Sequence, residues 1–201
     1  MIAILDYGIG NLKSIHNMFK KVGVESIITA DIETIKNADK YLLPGVGSFD
    51  HGINSLKCAS FFETLEKEVL ENKKPILGIC LGMQLLTNSS EEGKEKGLGW
   101  IDASTIKFDL EDKSLSIPHM GWNKTNPINT NDIFNNLEEN RFYFVHSYHV
   151  VCNNEKNILA SSYYGQTFTC SIYKDNIYGV QFHPEKSHKF GMQLLKNFGD
   201  L

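Results

Sequence analysis

Residues 75–86 read PILGICLGMQLL. The run PILGI is apolar throughout, as expected of a short strand buried on both faces. A single residue, Cys80, separates it from LGMQLL, which begins a helix. Strand, tight turn and helix in direct succession are the repeating unit of a parallel, doubly wound sheet. The same stretch carries a chemical signal. Gly78-Ile-Cys80-Leu-Gly82 has the form of a nucleophile elbow, with cysteine in place of serine. A nucleophile on such a turn sits in a strained backbone conformation, so its neighbours must be small. The helix that follows aims its first amides and positive dipole end at the sulfur, which favours the reactive thiolate. A cysteine that only fills space is the competing reading, and it needs no flanking glycines.

Upstream, strand and helix patterns alternate. MIAILD is a short apolar strand; Leu12, Ile15, Phe19 and Val22 then fall at helical spacing, and Gly23 stops the helix. ESIITA and KYLLP are the next strands, the second ending in the turn PGVGS. Ser60 and Glu63 match a capping box ahead of a helix carrying Phe62, Leu65 and Val69. Downstream of about residue 100 the texture changes. ASTIKF, RFYFVHSYHV, NILASSYY, TFTCSIY and NIYGVQF are short strand patterns, several joined by turn residues such as YYGQ and KDN. They predict antiparallel strands added to the parallel sheet. Ser187 is placed to cap a last helix whose Phe190, Leu194 and Phe198 share a face, and the charged run at 89–97, SSEEGKEKG, reads as a solvated loop.

The 201 residues suit one domain, residues 1–201. Hydrophobic content of 41% and charged content of 22% are ordinary for a globular protein, and a net charge of -4 offers no footprint for nucleic acid or an anionic membrane. Arg141 is the sole arginine, which argues against a clamp on a highly phosphorylated ligand within this chain. No apolar stretch approaches the roughly 20 residues that cross a bilayer, and the N-terminus lacks the features of a signal peptide. Four cysteines without a C-x-x-C are too sparse for a disulfide framework, so a reduced, cytoplasmic setting is expected.

A thiolate nucleophile needs a base, and the base an orienting group. Of seven histidines, His183 stands out in VQFHPEKS. Pro184 favours an extended conformation at His183. Residues two apart on extended chain share a side, so Glu185 can lie beside the imidazole and accept from it. Acyl transfer also requires donors for the oxyanion. The amide of Leu81 is one candidate; Val46 and Gly47, in the PGVGS turn, are others. His146 and His149 face opposite ways if RFYFVHSYHV is a continuous strand, so no metal site is expected there. The segment YGIGN lacks the third glycine of a dinucleotide fingerprint.

In this order along the chain, AILDYGIGNLKS, LLPGVGSF, GICLGMQLL, GLGWI, IPHMGWN, FYFVHSYHV and GVQFHPEKS resemble the motifs of class I (triad) glutamine amidotransferases over essentially the whole length. DYGIGN, PGVGSF and PHMGWN resemble most closely the histidine-pathway subfamily. The resemblance implies a flavodoxin-like α/β fold with a parallel core and antiparallel additions. It implies Cys80 as nucleophile, His183 as base and acid, and Glu185 as orienting carboxylate. Gln84 and the Ser147–Tyr148 backbone would hold L-glutamine, with no cofactor and no metal. It also implies a heterodimeric partner, a (β/α)8-barrel cyclase that takes the ammonia and makes imidazole glycerol phosphate and aminoimidazole carboxamide ribotide. Trp122, with Tyr143 and Lys186 near the same mouth, would face that partner. The alternative is a paralogous glutaminase subunit that feeds a surface-sugar amidotransferase. A non-catalytic interaction subunit would have little reason to retain all three triad residues. A cysteine peptidase would need an extended groove that no stretch of the sequence supplies.

Overall fold

The computed structural model describes residues 1–128, 131–137 and 139–201. The first half runs β1 (Ile2–Leu5), α1 (Leu12–Lys21), β2 (Ser26–Thr29), α2 (Ile32–Asn37), β3 (Lys40–Leu43), α3 (Phe49–Cys58), α4 (Phe62–Leu70), β4 (Ile76–Ile79) and α5 (Leu81–Leu85). The second runs β5 (Ser89–Ser90), β6 (Ala103–Lys107), β7 (His119–Lys124), β8 (Asn126–Pro127), β9 (Arg141–His146), β10 (Tyr148–Cys152), β11 (Ile158–Tyr164), β12 (Gln166–Lys174), β13 (Ile177–Val180) and α6 (His188–Asp200). The main sheet has the order β2-β1-β3-β4-β13-β12-β10-β6-β5. β2, β1, β3, β4 and β13 are mutually parallel, and β12, β10 and β6 follow antiparallel. This is the mixed sheet expected from the change of texture near residue 100. β7 and β9 form a separate antiparallel ribbon.

Why the first strands read as unbroken apolar runs is visible in the packing. Ile2, Ile4, Leu42, Leu77 and Ile79 enter one core, closed by Phe19 of α1 and by Leu194 and Phe198 of α6. Ala3, Leu5, Tyr41, Leu43 and Ile76 enter the other, under Ile35, Ile53, Leu65 and Met83 from α2, α3, α4 and α5. Alternate residues of each strand therefore face different helical layers. With both faces covered, these strands need apolar residues at every position.

Four local expectations are corrected. α4 starts one residue after Phe61, which makes no side-chain cap, so Ser60 and Glu63 do not form a capping box. Ser187 does precede α6 but does not cap it; its hydroxyl donates to His183 O at 2.6 Å and accepts from Tyr143 N at 3.0 Å. RFYFVHSYHV is not one strand: a bend at Ser147 divides β9 from β10. That bend brings His146 and His149 to the same ring, Phe108, at centroid distances of 5.2 and 4.7 Å, rather than to opposite faces. Residues 89–97 are not merely solvated: Ser89 and Ser90 pair with β6, Asp50 accepts from the amides of Lys94 and Glu95, and Glu92 accepts from Phe49 N at 2.8 Å.

Candidate active site

Parallel strands deliver their C-terminal ends to one edge of the sheet, and the connecting loops there are free to carry chemistry. β3 leads into residues 44–47, β4 into Cys80, and β13 into residues 181–185. The hydroxyl of Tyr7, just after β1, donates to the Pro44 carbonyl and braces the first of these loops.

Cys80 has φ 54° and ψ −110°, a conformation that a residue with a side chain adopts only under constraint. The constraint is packing on both sides of the turn. A Cβ on Gly82 would stand 2.0 Å from the carbonyl oxygen of Leu43, and one on Gly78 would stand 2.7 Å from the Gly82 backbone. α5 can approach β3 and β4 this closely only with glycine at both positions, as the elbow reading requires. The following helix is only five residues long. The helix dipole expected to favour the thiolate is therefore short, and the near amides of the turn matter more.

His183 is 2% exposed and lines the same cleft as Cys80; its Nδ1 lies 2.8 Å from Glu185 Oε1. The route to that pair differs from the expected extended chain. His183 itself is extended, but Pro184–Lys186 form a 3-10 turn that folds Glu185 back under the imidazole. Burial pulls the His183 pKa down, yet the hydrogen bonds and charges of Cys80 and Glu185 outweigh it and hold the imidazole well above its ordinary range. Elsewhere burial, then Asp102, pushes the Cys152 thiol up to about 11, and burial pushes Cys170 up further, while Cys58 is exposed outside the cleft.

The expected residues converge. A cleft of about 360 Å³ is lined by Val46, Gly47, Cys80, Leu81, Gln84, Ser147, Tyr148 and His183, with Lys186 at its edge. Glu185 stands behind His183. Gln84 Nε2 donates to Tyr148 O at 3.3 Å and to Gln181 Oε1 at 3.1 Å, and Gln181 Nε2 points at the Cys80 sulfur at 3.7 Å. Two residues of this arrangement are not singled out by the sequence. Gln181 is legible as strand only, although it lies two residues before His183. Glu92 lines the cleft from within the charged run, and nothing in that run's composition marks it. Among the described residues no group of three or more His, Cys, Asp or Glu is arranged to hold a metal ion.

Trp122 (37% exposed) and Met120 (61%) protrude from β7. The Trp122 ring stacks on His188 at 5.6 Å, with Arg141 Cζ 5.7 Å from its centroid and Tyr143 edge-on at 6.3 Å. Lys186 Nζ lies 5.8 Å from the Tyr143 ring. The three residues expected at one mouth thus form one cluster beside the cleft, with Trp122 and Lys186 exposed and Tyr143 half-buried between them. Among the described residues no helix is long and apolar enough to cross a membrane.

Residues 3–200 match the family model described as glutamine amidotransferase class-I. The chain is 59% identical over 199 residues to "Imidazole glycerol phosphate synthase subunit HisH 2" of Methanococcus maripaludis, covering 98% of each chain. It is 48% identical to the protein of the same name in Pseudomonas aeruginosa, and 47% to "Imidazole glycerol phosphate synthase subunit HisH" of Leptospira borgpetersenii, each covered in full on both sides. Among solved structures, PurLQS from Thermotoga maritima superposes with a TM-score of 0.72 at 18% identity, covering 99% of this chain and 97% of that one. A glutamine amidotransferase from the same organism superposes with a TM-score of 0.63 at 15% identity, over 99% and 82%. These two likenesses bear on the fold alone.

Proposed function

Because this chain belongs to the class I glutamine amidotransferase family, we propose that it is the glutaminase subunit of an imidazole glycerol phosphate synthase, built as one amidotransferase domain over residues 1–201. The observation that carries the reading is the continuous line Glu185–His183–Cys80 at a cleft the size of a small-molecule site. The Cys80 thiolate attacks the side-chain carbonyl of L-glutamine. Negative charge then collects on the carbonyl oxygen, against the Leu81 amide and a donor from Val46 or Gly47. The imidazolium of His183 protonates the departing nitrogen, and ammonia leaves a γ-glutamyl thioester. Neutral His183 then takes a proton from water as it attacks the thioester, and glutamate leaves with the thiolate restored. Glu185 keeps the imidazole oriented and stabilises its charged form.

Gln84 and the Ser147–Tyr148 backbone hold the glutamine. Glu92 complements its α-ammonium group: one carboxylate oxygen is tied to Phe49 N, which fixes the side chain at the cleft. Ammonia released into water would be protonated and lost, so the cleft must open toward an acceptor. The Trp122, Tyr143 and Lys186 cluster, with its exposed Trp122, is where a (β/α)8-barrel cyclase docks. The cyclase supplies what this chain, with its one arginine, lacks for a doubly phosphorylated substrate. A cytoplasmic location fits this pathway role.

The test combines the purified chain with the barrel cyclase and its phosphoribulosyl formimino substrate. Glutamine should support formation of imidazole glycerol phosphate. In the Cys80→Ala complex glutamine should fail and ammonium salt should restore synthesis. Absence of any glutamine-dependent product, with delivery of ammonia to a surface-sugar synthase instead, would overturn the choice of partner.

A further inference from the structure

Two buried histidines outside the Cys80–His183–Glu185 line are joined in a hydrogen-bonded chain that ends at the cleft. His119 (3% exposed) and His146 (6%) are opposite partners across β7 and β9. His119 Nδ1 lies 2.9 Å from His146 Nε2, and His146 Nδ1 lies 2.8 Å from Tyr148 O. At the far end Asn123 Nδ2 meets His119 Nε2 at 3.2 Å and also donates to Tyr163 O at 2.8 Å. A carbonyl oxygen only accepts, and with both rings neutral this fixes the protons along the chain. His146 carries its proton on Nδ1 and accepts at Nε2. His119 therefore carries its own on Nδ1 and accepts at Nε2 from the Asn123 amide. Both rings are neutral in this pattern, and burial drives both pKa values down, to about 4 for His119 and about 3 for His146.

The surroundings make this arrangement costly for a purely structural purpose. His119 stacks on Phe144 at 4.9 Å and on Tyr164 at 4.1 Å, and His146 packs against Phe108 and Phe168, each at 5.2 Å. Further phenylalanines would fill the same space without desolvating polar nitrogens. What the histidines reach is specific. The His146 ring spans the bend at Ser147 and holds the Tyr148 carbonyl, the same oxygen that accepts from Gln84. We propose that His119 and His146 are positioning residues for the glutamine site: they set the Ser147 bend, and with it the Tyr148 carbonyl and the Gln84 amide, in the geometry that receives the substrate. This rests on the reading of the cleft as a glutamine site.

The test uses an electrophilic glutamine analogue, 6-diazo-5-oxonorleucine, titrated against the full chain to separate its saturation constant from its limiting rate of Cys80 labelling. Iodoacetamide, which needs no glutamine site, is run beside it. His119→Leu, which removes the donor to His146, should raise the saturation constant about tenfold, the worth of one net hydrogen bond. The limiting rate and iodoacetamide alkylation should stay unchanged. His119→Asn, whose amide can replace the Nδ1 donor, should recover most of the loss. His146→Asn against His146→Gln repeats the comparison at the second ring, where only the shorter side chain keeps a donor near Tyr148 O. An unchanged saturation constant in His119→Leu and His146→Gln overturns the proposal. So does a parallel fall in both alkylation rates without rescue by asparagine, the mark of a merely structural role. A wild-type chain whose Cys80 ignores the analogue but reacts with iodoacetamide removes the glutamine reading, and this inference with it.

Discussion

Gly82→Ala tests the elbow by a single methyl group. The new Cβ would fall 2.0 Å from the Leu43 carbonyl oxygen, and ordinary van der Waals contact begins near 3.4 Å, so one of the two must retreat by about 1.4 Å. Neither can do so locally. Leu43 lies in β3, paired to β1 and β4 in the middle of the sheet, and residue 82 lies in the first turn of α5, directly after Cys80. Overpacking of a rigid interior costs typically 1–3 kcal/mol, and the backbone nature of both partners sets the expectation at about 3 kcal/mol. For a chain of this size that lowers Tm by roughly 6–12 °C. The chemical effect is larger. A shift of about 1 Å between a nucleophile and its base can cost about a hundredfold in rate. Glutamine turnover in the complex should therefore fall by about that factor while the far-UV circular dichroism is retained. Gly52→Ala is the matched control: its Cβ meets the flexible ends of Leu81 and Leu85, with Cδ2 atoms at 2.9 and 3.3 Å, and should cost little. A Gly82→Ala chain with wild-type Tm and wild-type turnover would refute the claim that close approach of α5 to β3 sets the nucleophile.

Three further outcomes follow from the same geometry. Glu185→Gln breaks one side of a buried pair whose side chains are 2% and 3% exposed, and should cost about 3 kcal/mol of stability near neutral pH and roughly 10³–10⁴ in kcat. Because the folded-state pKa of His183 is raised, the stabilisation from that pair is complete below the unfolded value near 6.5 and is lost as pH climbs through the raised value, so the Tm gap between wild type and Glu185→Gln should narrow at alkaline pH. Trp122→Ala should weaken binding of the barrel cyclase by about 2 kcal/mol, roughly 30-fold in Kd, with only a small change in the Tm of the free chain. A large Tm loss with unaltered affinity would make Trp122 a core residue. The isolated chain should turn over glutamine slowly and accelerate when partner and acceptor bind, the signature of coupled sites; equal rates alone and in complex would contradict this.

How far the fold could be read from residues depended on where the determining contacts lie. β1, β3 and β4 were legible because both of their faces are buried, so apolar character is continuous. α1 and α6 were legible because each turns a single apolar stripe to the sheet. α3 is not legible in the sequence: Gly52 interrupts its helical propensity, and the helix is held by tertiary burial of Phe49, Ile53 and Leu56. The Ser147 bend is likewise invisible in RFYFVHSYHV, where every neighbour favours a strand; it is set by the His146 ring reaching Tyr148 O and by Phe108 N donating to Ser147 O. At the candidate site, Cys80 is legible because its flanking glycines are local, and the His183–Glu185 pair because its two members lie close together in sequence. Glu92, Gln181 and the His119–His146 pair acquire their positions only from contacts between distant segments, so no local pattern announced them.

The most direct measurement is mass spectrometry of the chain after reaction with the electrophilic glutamine analogue, in the presence and absence of glutamine. The four thiols differ enough to make the result decisive: Cys58 is exposed, Cys152 and Cys170 are held protonated by burial, and Cys80 alone adjoins His183 in the cleft. A cysteine nucleophile at the elbow predicts one adduct, on Cys80, suppressed by glutamine and absent from Cys80→Ala. Modification of Cys58, Cys152 or Cys170 in its place, or labelling of Cys80 that glutamine does not slow, would contradict it.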